Sequence, residues 1–337
     1  MDFNLVKKNS GYKIFEQDVK NGNVSHAYIV YSEDSELRKT FCKLCCIQLL
    51  CPTACGECNT CRQILEGNYV EISNFDGKDL KVSGNNANSS FLDDLIEQID
   101  IKPIVGDKKI IIIDNFNLAS ATVQNKLLKT LEEPPSYLTF LLSAAQENGV
   151  LTTIKSRCKK IYLESLLSED IVDELVSDGT DRATAETAAA IAMGNYSKAL
   201  AFTLDEDYNE AYNETFEMLL KLQRSSQITK ILYEKVLDEE TKTLFDKDTI
   251  EHTFDFMELI LLDVLKITSN SSIPLNIVNR TADLEAIAVN YTTTSAAMSI
   301  LAINEGRKKL KSNQTAQVVA TNVLMNILEA RYKWRKR

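Results

Sequence analysis

At 337 residues, with 44% hydrophobic side chains, the chain has material for two or three domains with real cores. No apolar run of about 18 residues occurs, so no membrane span is expected, and the opening MDFNLVKKNSGYKIFEQ lacks an apolar signal core, which places the expected location in the cytoplasm. A net charge of -10 argues against broad electrostatic adhesion to DNA by the chain alone, without excluding DNA contact inside a larger assembly.

Short apolar runs alternate with helix-period segments through the first half, the pattern of a parallel sheet with crossover helices. In chain order the predicted strands are Ala27–Tyr31, Val70–Ser73, Ile110–Asp114, Thr139–Ser143 and Lys160–Leu163. Helices are predicted over Glu36–Leu50 and Phe91–Ile99, and the polar stretch Asn74–Ser90 reads as a loop or weak hairpin. Ile110–Ile113 is four consecutive β-branched residues, as in a strand buried on both faces. Ser168 reads as an N-cap opening a helical unit that runs to about Leu204, interrupted at Met193-Gly194-Asn195. Beyond it Gly306 is the only glycine and Pro274 the only proline, so Glu206–Arg337 is expected to be all helix. Phe254, Met257, Leu261, Val264 and Leu265 share one helical face, as do Val319, Val323, Ile327 and Ala330.

Seven of the eight cysteines lie between Cys42 and Cys61, which is not the spread of a disulfide framework. Cys51-PTA-Cys55-GE-Cys58-NT-Cys61 offers four thiolates within eleven residues, with two C-x-x-C steps that let a tight loop turn sulfur toward one ion. Four-cysteine zinc is closed to water, so such a site is structural. The plainer reading is a set of free surface thiols or a redox pair. Cys42, Cys45 and Cys46 sit in the apolar pattern FCKLCCIQLL, where cysteine acts as a small hydrophobe; Cys46 stays an alternative to Cys51 as first ligand.

A phosphate-binding loop is expected between the strand HAYIV and the helix after it. Such a loop needs glycines so that backbone N–H groups converge on phosphate, then a lysine and a Ser/Thr. This one reads YSEDSELRKT: Ser32, Ser35 and Leu37 stand where glycines belong, and Arg38 and Lys39 where Lys and Ser/Thr belong. Glu33, Asp34 and Glu36 would repel an anion, so no ATP binding is expected. Asp114 ends a buried strand as a magnesium-binding acid would, but the second acid such a site wants is replaced by Asn115. In the plainer reading Asp114 caps a helix. Further on, Ser156-Arg157-Cys158 lies between two strands beside Lys155, Lys159 and Lys160. A planar, always-charged guanidinium there suits a neighbour's γ-phosphate, and it equally suits an ordinary surface turn.

The order of strand, acid, QNKLLKTLEEPP helix, strand and Ser-Arg-Cys is similar to that of AAA+ ATPases. HAYIV, CGECNTC, IIIIDNFN, QNKLLKTLEEPP, TFLLSA and SRC together resemble the bacterial DNA polymerase III clamp-loader subunits, closely over about Val24–Leu163, weakly to Leu204 and faintly beyond. That family holds the ATP-hydrolysing gamma/tau subunits and the delta-prime subunit. The glycine-free loop and the lack of a long extra C-terminal region are similar to delta-prime. The resemblance implies an AAA+-type α/β domain over 1–165 with a zinc module at 51–61, a small helical lid domain over 166–205, and an all-α collar over 206–337. It implies zinc on Cys51, Cys55, Cys58 and Cys61, with an unusually short gap between the first two; Ser143 matches the region that senses nucleotide in active relatives and, with no ATP expected, is assigned no role. It also implies that Arg157 acts in trans as an arginine finger on an adjacent gamma/tau subunit, with a delta subunit, sliding clamp and primed DNA as further partners. The competing readings are an active gamma/tau-like ATPase of the same complex and a zinc-dependent DNA-binding protein.

Overall fold

A computed structural model describes residues 1–80, 89–222, 230–231, 233–237, 244–247, 249–312 and 314–334. The chain divides into two compact units, the first Met1–Leu166 with Asn195–Ser197, the second Leu167–Gly194 with Lys198–Arg337.

Unit one is built on five parallel strands, β1 (Ala27–Tyr31), β2 (Ile72–Asp76), β3 (Lys109–Asp114), β4 (Leu138–Ala144) and β5 (Lys159–Tyr162), in the spatial order β2-β3-β4-β1-β5. Every residue of β1 and β4 is buried, because the sheet is covered on both sides. Strand alternation sends Tyr28, Val30, Ile110, Leu141 and Ile161 to one face. There they meet α1 (Phe3–Lys8), α2 (Ser10–Lys20), α3 (Ser35–Leu50) and α4 (Asn59–Glu66) through Val6, Phe15, Phe41, Cys45 and Ile64. Ala27, Ile29, Ile111, Ile113, Phe140 and Leu142 face the other way, onto α5 (Ser89–Asp100), α6 (Ala121–Glu132) and the short α7 (Thr152–Lys155).

The register Val30↔Ser143, Ile113↔Leu142 and Asp76↔Asp114 brings the carboxyl ends of β1, β2, β3 and β4 to one rim, where ligands of open α/β sheets bind. One predicted strand is displaced: β2 begins at Ile72, not Val70, and takes in Asn74–Asp76 from the expected loop. Val70 is 58% exposed; the strand is set by backbone pairing of Ile72–Asp76 with Ile110–Asp114. Of the rest of that expected loop, 77–79 form a turn, Ser89 and Ser90 open α5, and 81–88 lie outside the described residues.

Unit two is helical among its described residues: α8 (Ser168–Ser177), α9 (Arg182–Ala192), most of α10 (Tyr196–Leu204), α11 (Glu206–Lys221), α12 (Ile250–Thr268), α13 (Thr281–Ala288), α14 (Thr293–Lys311) and α15 (Ala316–Lys333), with a π-turn at Tyr233–Leu237. The predicted cap of α8 moves by one: Leu167 is the N-cap, and Ser168, already helical, makes no capping bond. α9 ends with Met193 at φ 48° and Gly194 at φ 87°, two left-handed residues that stop it. The apolar stripes of α12 and α15 are buried as their spacing predicts, apart from a half-buried Leu265. Gly306 lets α14 approach its neighbours: a Cβ there would lie 2.5 Å from Val323 Cγ2 and 3.2 Å from Phe254 Cε2. Polar staples complete the core, with buried Asp263 accepting from the Asn276 and Ile277 amides and Arg307 bridging Asp255 and Glu258. Among the described residues no single helix is long and apolar enough to cross a membrane.

Candidate functional site

The turn between β1 and α3 stands where a sheet of this type presents backbone N–H groups to phosphate. Here an internal carboxylate takes those groups. Asp34, 3% exposed, accepts at Oδ1 from the Glu36 and Leu37 amides, each at 3.1 Å, and so caps α3. The same Oδ1 accepts from Ser197 Oγ (2.5 Å) and the Ser197 amide (3.3 Å), while Oδ2 accepts from the Tyr196 amide (2.5 Å). Both 196 and 197 belong to unit one and open α10, so one carboxylate caps two helices. Ser35 Oγ lies 3.1 Å from Ser197 Oγ, and Leu37 is fully buried in the α1–α4 core.

Arg38 fills the adjoining space. It is 2% exposed, and its guanidinium donates to the Ser32 carbonyl (2.6 Å), Asn115 Oδ1 (3.0 Å) and Asp114 Oδ1 (3.3 Å). Asp114 Oδ1 also accepts from Ser143 Oγ and from the Asn115 amide. Asp114 is therefore the counter-ion of a buried arginine rather than a helix cap; Asn115, at φ 49°, opens the short 3-10 turn at Phe116–Leu118. Lys39 points outward and pairs with Glu36 at 2.8 Å. A cavity of about 520 Å³ runs beside this cluster, with Lys39, Lys43, Cys46, Ile64, Asp114 and Ser143 in its wall.

At the other end of β4, Ser156 Oγ donates to the Thr153 carbonyl at 3.0 Å, and Arg157 lies partly exposed on the turn that follows α7. Arg157 Nη1 donates to the Thr153 carbonyl (2.8 Å) and Nη2 to Glu132 Oε1 (2.5 Å). Cys158 turns inward into the core, where burial pushes its thiol up to about 12. Of the Ser-Arg-Cys triplet, the partly exposed Arg157 thus carries the charge, the exposed Ser156 closes the turn and Cys158 packs.

The four loop cysteines converge: their sulfur atoms all lie within 4.8 Å of one another, with Cys51–Cys55, Cys51–Cys58 and Cys58–Cys61 separations of 3.9, 3.7 and 3.6 Å. Zinc–sulfur bonds of about 2.3 Å in a tetrahedron give sulfur–sulfur edges of about 3.8 Å, so the donor set fits one tetrahedral ion. Ala54 (φ 46°) and Gly56 (φ 79°) supply the left-handed turns that fold the loop back. Burial works to raise the Cys51 thiol, but hydrogen bonds from Thr53 and the Cys55 amide hold it down to about 6. Cys51, not Cys46, stands in the converging set: Cys46 is fully buried with Cys42 and Cys45 in the α3 core, its thiol pushed up by burial.

Sequence reasoning read Asp34 only as a repelling charge and passed over Glu132. A D-S-E-L stretch before an apolar helix is a capping signal for Asp34, but its second helix lies 162 residues away. Glu132 stands inside LEEPP with no local mark of its partner.

Residues 7–167 match the family described as "DNA polymerase III, delta subunit". The chain is 32% identical over 165 residues to DNA polymerase III subunit tau/gamma of Haemophilus influenzae, covering 47% of this chain and 23% of that protein. It thus spans about a quarter of the length of the first of its curated relatives. It is 23% identical over 328 residues to DNA polymerase III subunit delta' of Bacillus subtilis, covering 94% of this chain and 95% of that one. Among solved structures, a gamma subunit-related protein of Thermotoga maritima aligns with 96% of this chain and 100% of its own at a TM-score of 0.44 and 14% identity. Residues 7–167 thus resemble the DNA polymerase III delta-subunit family, and over nearly its full length the chain is similar to the delta' subunit of that polymerase.

Proposed function

We propose that this chain is a non-hydrolysing subunit of the DNA polymerase III clamp loader that helps assemble the complex and supplies Arg157 to the ATP site of an adjacent gamma/tau subunit. The observation that carries the reading is the filled phosphate site. The α3 amides are taken by Asp34, and Arg38 occupies the ground between the β1 turn and Asp114. A triphosphate entering here would meet a buried carboxylate at the helix N-terminus, and it would have to displace a paired guanidinium from Asp114. Breaking a buried ion pair of that kind costs about 3–5 kcal/mol, more than a helix dipole returns at about 0.3–2 kcal/mol.

The chemistry assigned to this chain is electrostatic. A guanidinium brought to a neighbour's γ-phosphate stabilises charge on the transferring phosphoryl group, an effect of about 10³–10⁵ in rate. Arg157 is suited to it by exposure and by its place on a short turn between sheet strands rather than on a long loop. The four cysteines would hold zinc in a closed, structural site that stiffens the 51–61 loop and takes no part in hydrolysis. Helices over 166–205 and 206–337 are assigned as lid and collar, a delta subunit and gamma/tau subunits as partners, and sliding clamp and primed DNA as what the assembly handles, all in the cytoplasm.

A second reading, an active gamma/tau-like ATPase, has two observations on its side: the 32% identity to tau/gamma and the cavity beside Lys39, Asp114 and Ser143. Equilibrium nucleotide binding by the isolated chain at physiological ATP separates the two; the first reading expects none. The test of the assigned role is ATP turnover by the reconstituted loader, with clamp and primed DNA, comparing the wild type with Arg157→Ala after co-elution has established intact assembly. Turnover should fall by a hundredfold or more, on the order of what an arginine finger supplies. Unchanged turnover would leave the chain a purely structural member.

A further inference from the structure

We infer that Glu132 is a positioning residue for Arg157, an inference that rests on the trans-acting role proposed above. The Arg157 guanidinium has three hydrogen-bonded contacts, of which a long one, to Ser156 Oγ at 3.5 Å, comes from the adjacent residue. Thr153 O, at 2.8 Å, belongs to the same short turn and moves with it. Glu132 Oε1, at 2.5 Å, comes from the last residue of α6, 25 positions earlier in the chain. α6 is anchored on the sheet through buried Val123, Leu127 and Leu131. Glu132 is therefore the contact that references the guanidinium to the rigid scaffold rather than to its own turn.

Both partners are partly exposed, with side chains at 32% for Arg157 and 52% for Glu132, and an ion pair so exposed adds little to folding stability. What it does supply is direction. Arginine is a long side chain with many rotamers, and a planar donor fork works on phosphate only when it is aimed. Thr153 takes Nη1 and Glu132 takes Nη2, while no hydrogen bond among the described residues engages Nε–H. The guanidinium is thus braced along one side and keeps a donor for an incoming anion. The carboxylate is used here as an acceptor at a fixed place, so a neutral carbonyl oxygen at the same place does much of the same work.

The experiment is ATP turnover by the reconstituted loader, with clamp and primed DNA, carrying Glu132→Ala, Glu132→Gln, Arg157→Ala and the double variant Glu132→Ala/Arg157→Ala. Assembly of each is checked by co-elution. Glu132→Ala should lower turnover about fivefold through lost orientation. Glu132→Gln, which keeps an acceptor oxygen, should recover most of it, and the double variant should be no slower than Arg157→Ala alone. The inference is overturned if Glu132→Ala leaves turnover unchanged or raises it, the latter marking a brake. It is also overturned if Glu132→Gln is as impaired as Glu132→Ala, or if the loss persists in the Arg157→Ala background, which marks a general structural defect. An unaffected Arg157→Ala would sink the trans-acting role itself and this inference with it, whereas an impaired Arg157→Ala beside a normal Glu132→Ala sinks the positioning role alone.

Discussion

Replacing Asp34 by alanine tests whether one carboxylate holds two helix ends. The side chain accepts five hydrogen bonds: two amides of α3, two of α10 and the Ser197 hydroxyl. Losing an N-cap costs about 0.5–2 kcal/mol per helix, and two caps are lost together at a site that water barely reaches. A loss of about 3 kcal/mol is expected. Native-state hydrogen exchange reads it at the four amides of Glu36, Leu37, Tyr196 and Ser197, which should exchange on the order of a hundredfold faster. Asp34→Asn should lie between, because both carboxylate oxygens are engaged and any amide orientation sets an N–H₂ group against a backbone donor. If the four amides of Asp34→Ala keep within threefold of the wild-type rates, or if only the α3 pair accelerates, the double-cap argument is wrong.

The cysteine set makes a prediction about metal content. The purified chain should carry one zinc, Cys51→Ser and Cys61→Ser should lose it, and Cys46→Ser should keep it in full, as measured by elemental analysis; loss in the Cys46 variant would reinstate that residue as a ligand. His252 makes a prediction about acid. Burial first, and then the nearby Lys198 charge, hold its imidazole below the ordinary 6.5, beside the Tyr208 ring at 4.8 Å. The unfolded chain therefore takes up a proton below pH 6.5 that the folded unit declines, so stability is complete above that pH and is lost as pH falls through and below it. Urea midpoints followed by Trp334 fluorescence should fall between pH 7.5 and 5.5 and should fall less in His252→Phe; equal slopes would remove His252 as the cause.

How much of this was legible depends on whether the determinant was local. β1, β3 and β4 lie within one residue of their predicted bounds because AYIVY, KIIIID and LTFLLSA are buried on both faces and announce it in composition. β2 does not, since ISNFD is an edge strand with Asn74 exposed and Asp76 only half-buried, and its extent is dictated by backbone pairing with β3. The converging cysteines could be named from spacing, while the choice of Cys51 over Cys46 needed the helix between them, which turns Cys46 into the core. The lack of glycine in the β1–α3 turn was visible, but what its amides and Arg38 bind was not. Tyr196 and Ser197 approach Asp34 from far along the chain, and Arg38 finds Asp114 across 76 positions. Glu132 is hidden for the same reason, 25 residues from its arginine.

The Arg38–Asp114 pair has a consequence for how sequences of this kind can drift. Arg38 is 2% exposed and its Asp114 partner 18%. Changing either residue alone strands the other's charge in a site where it has little water to fall back on, at about 3–5 kcal/mol, a large part of the stability of an ordinary domain. The two positions are therefore tied, and the viable exchanges are concerted ones. Glycines at Ser32 and Ser35 would leave this pair untouched, because Arg38 holds the Ser32 carbonyl, a backbone atom. The packing of these side chains against one another thus couples positions that lie 76 residues apart in the chain.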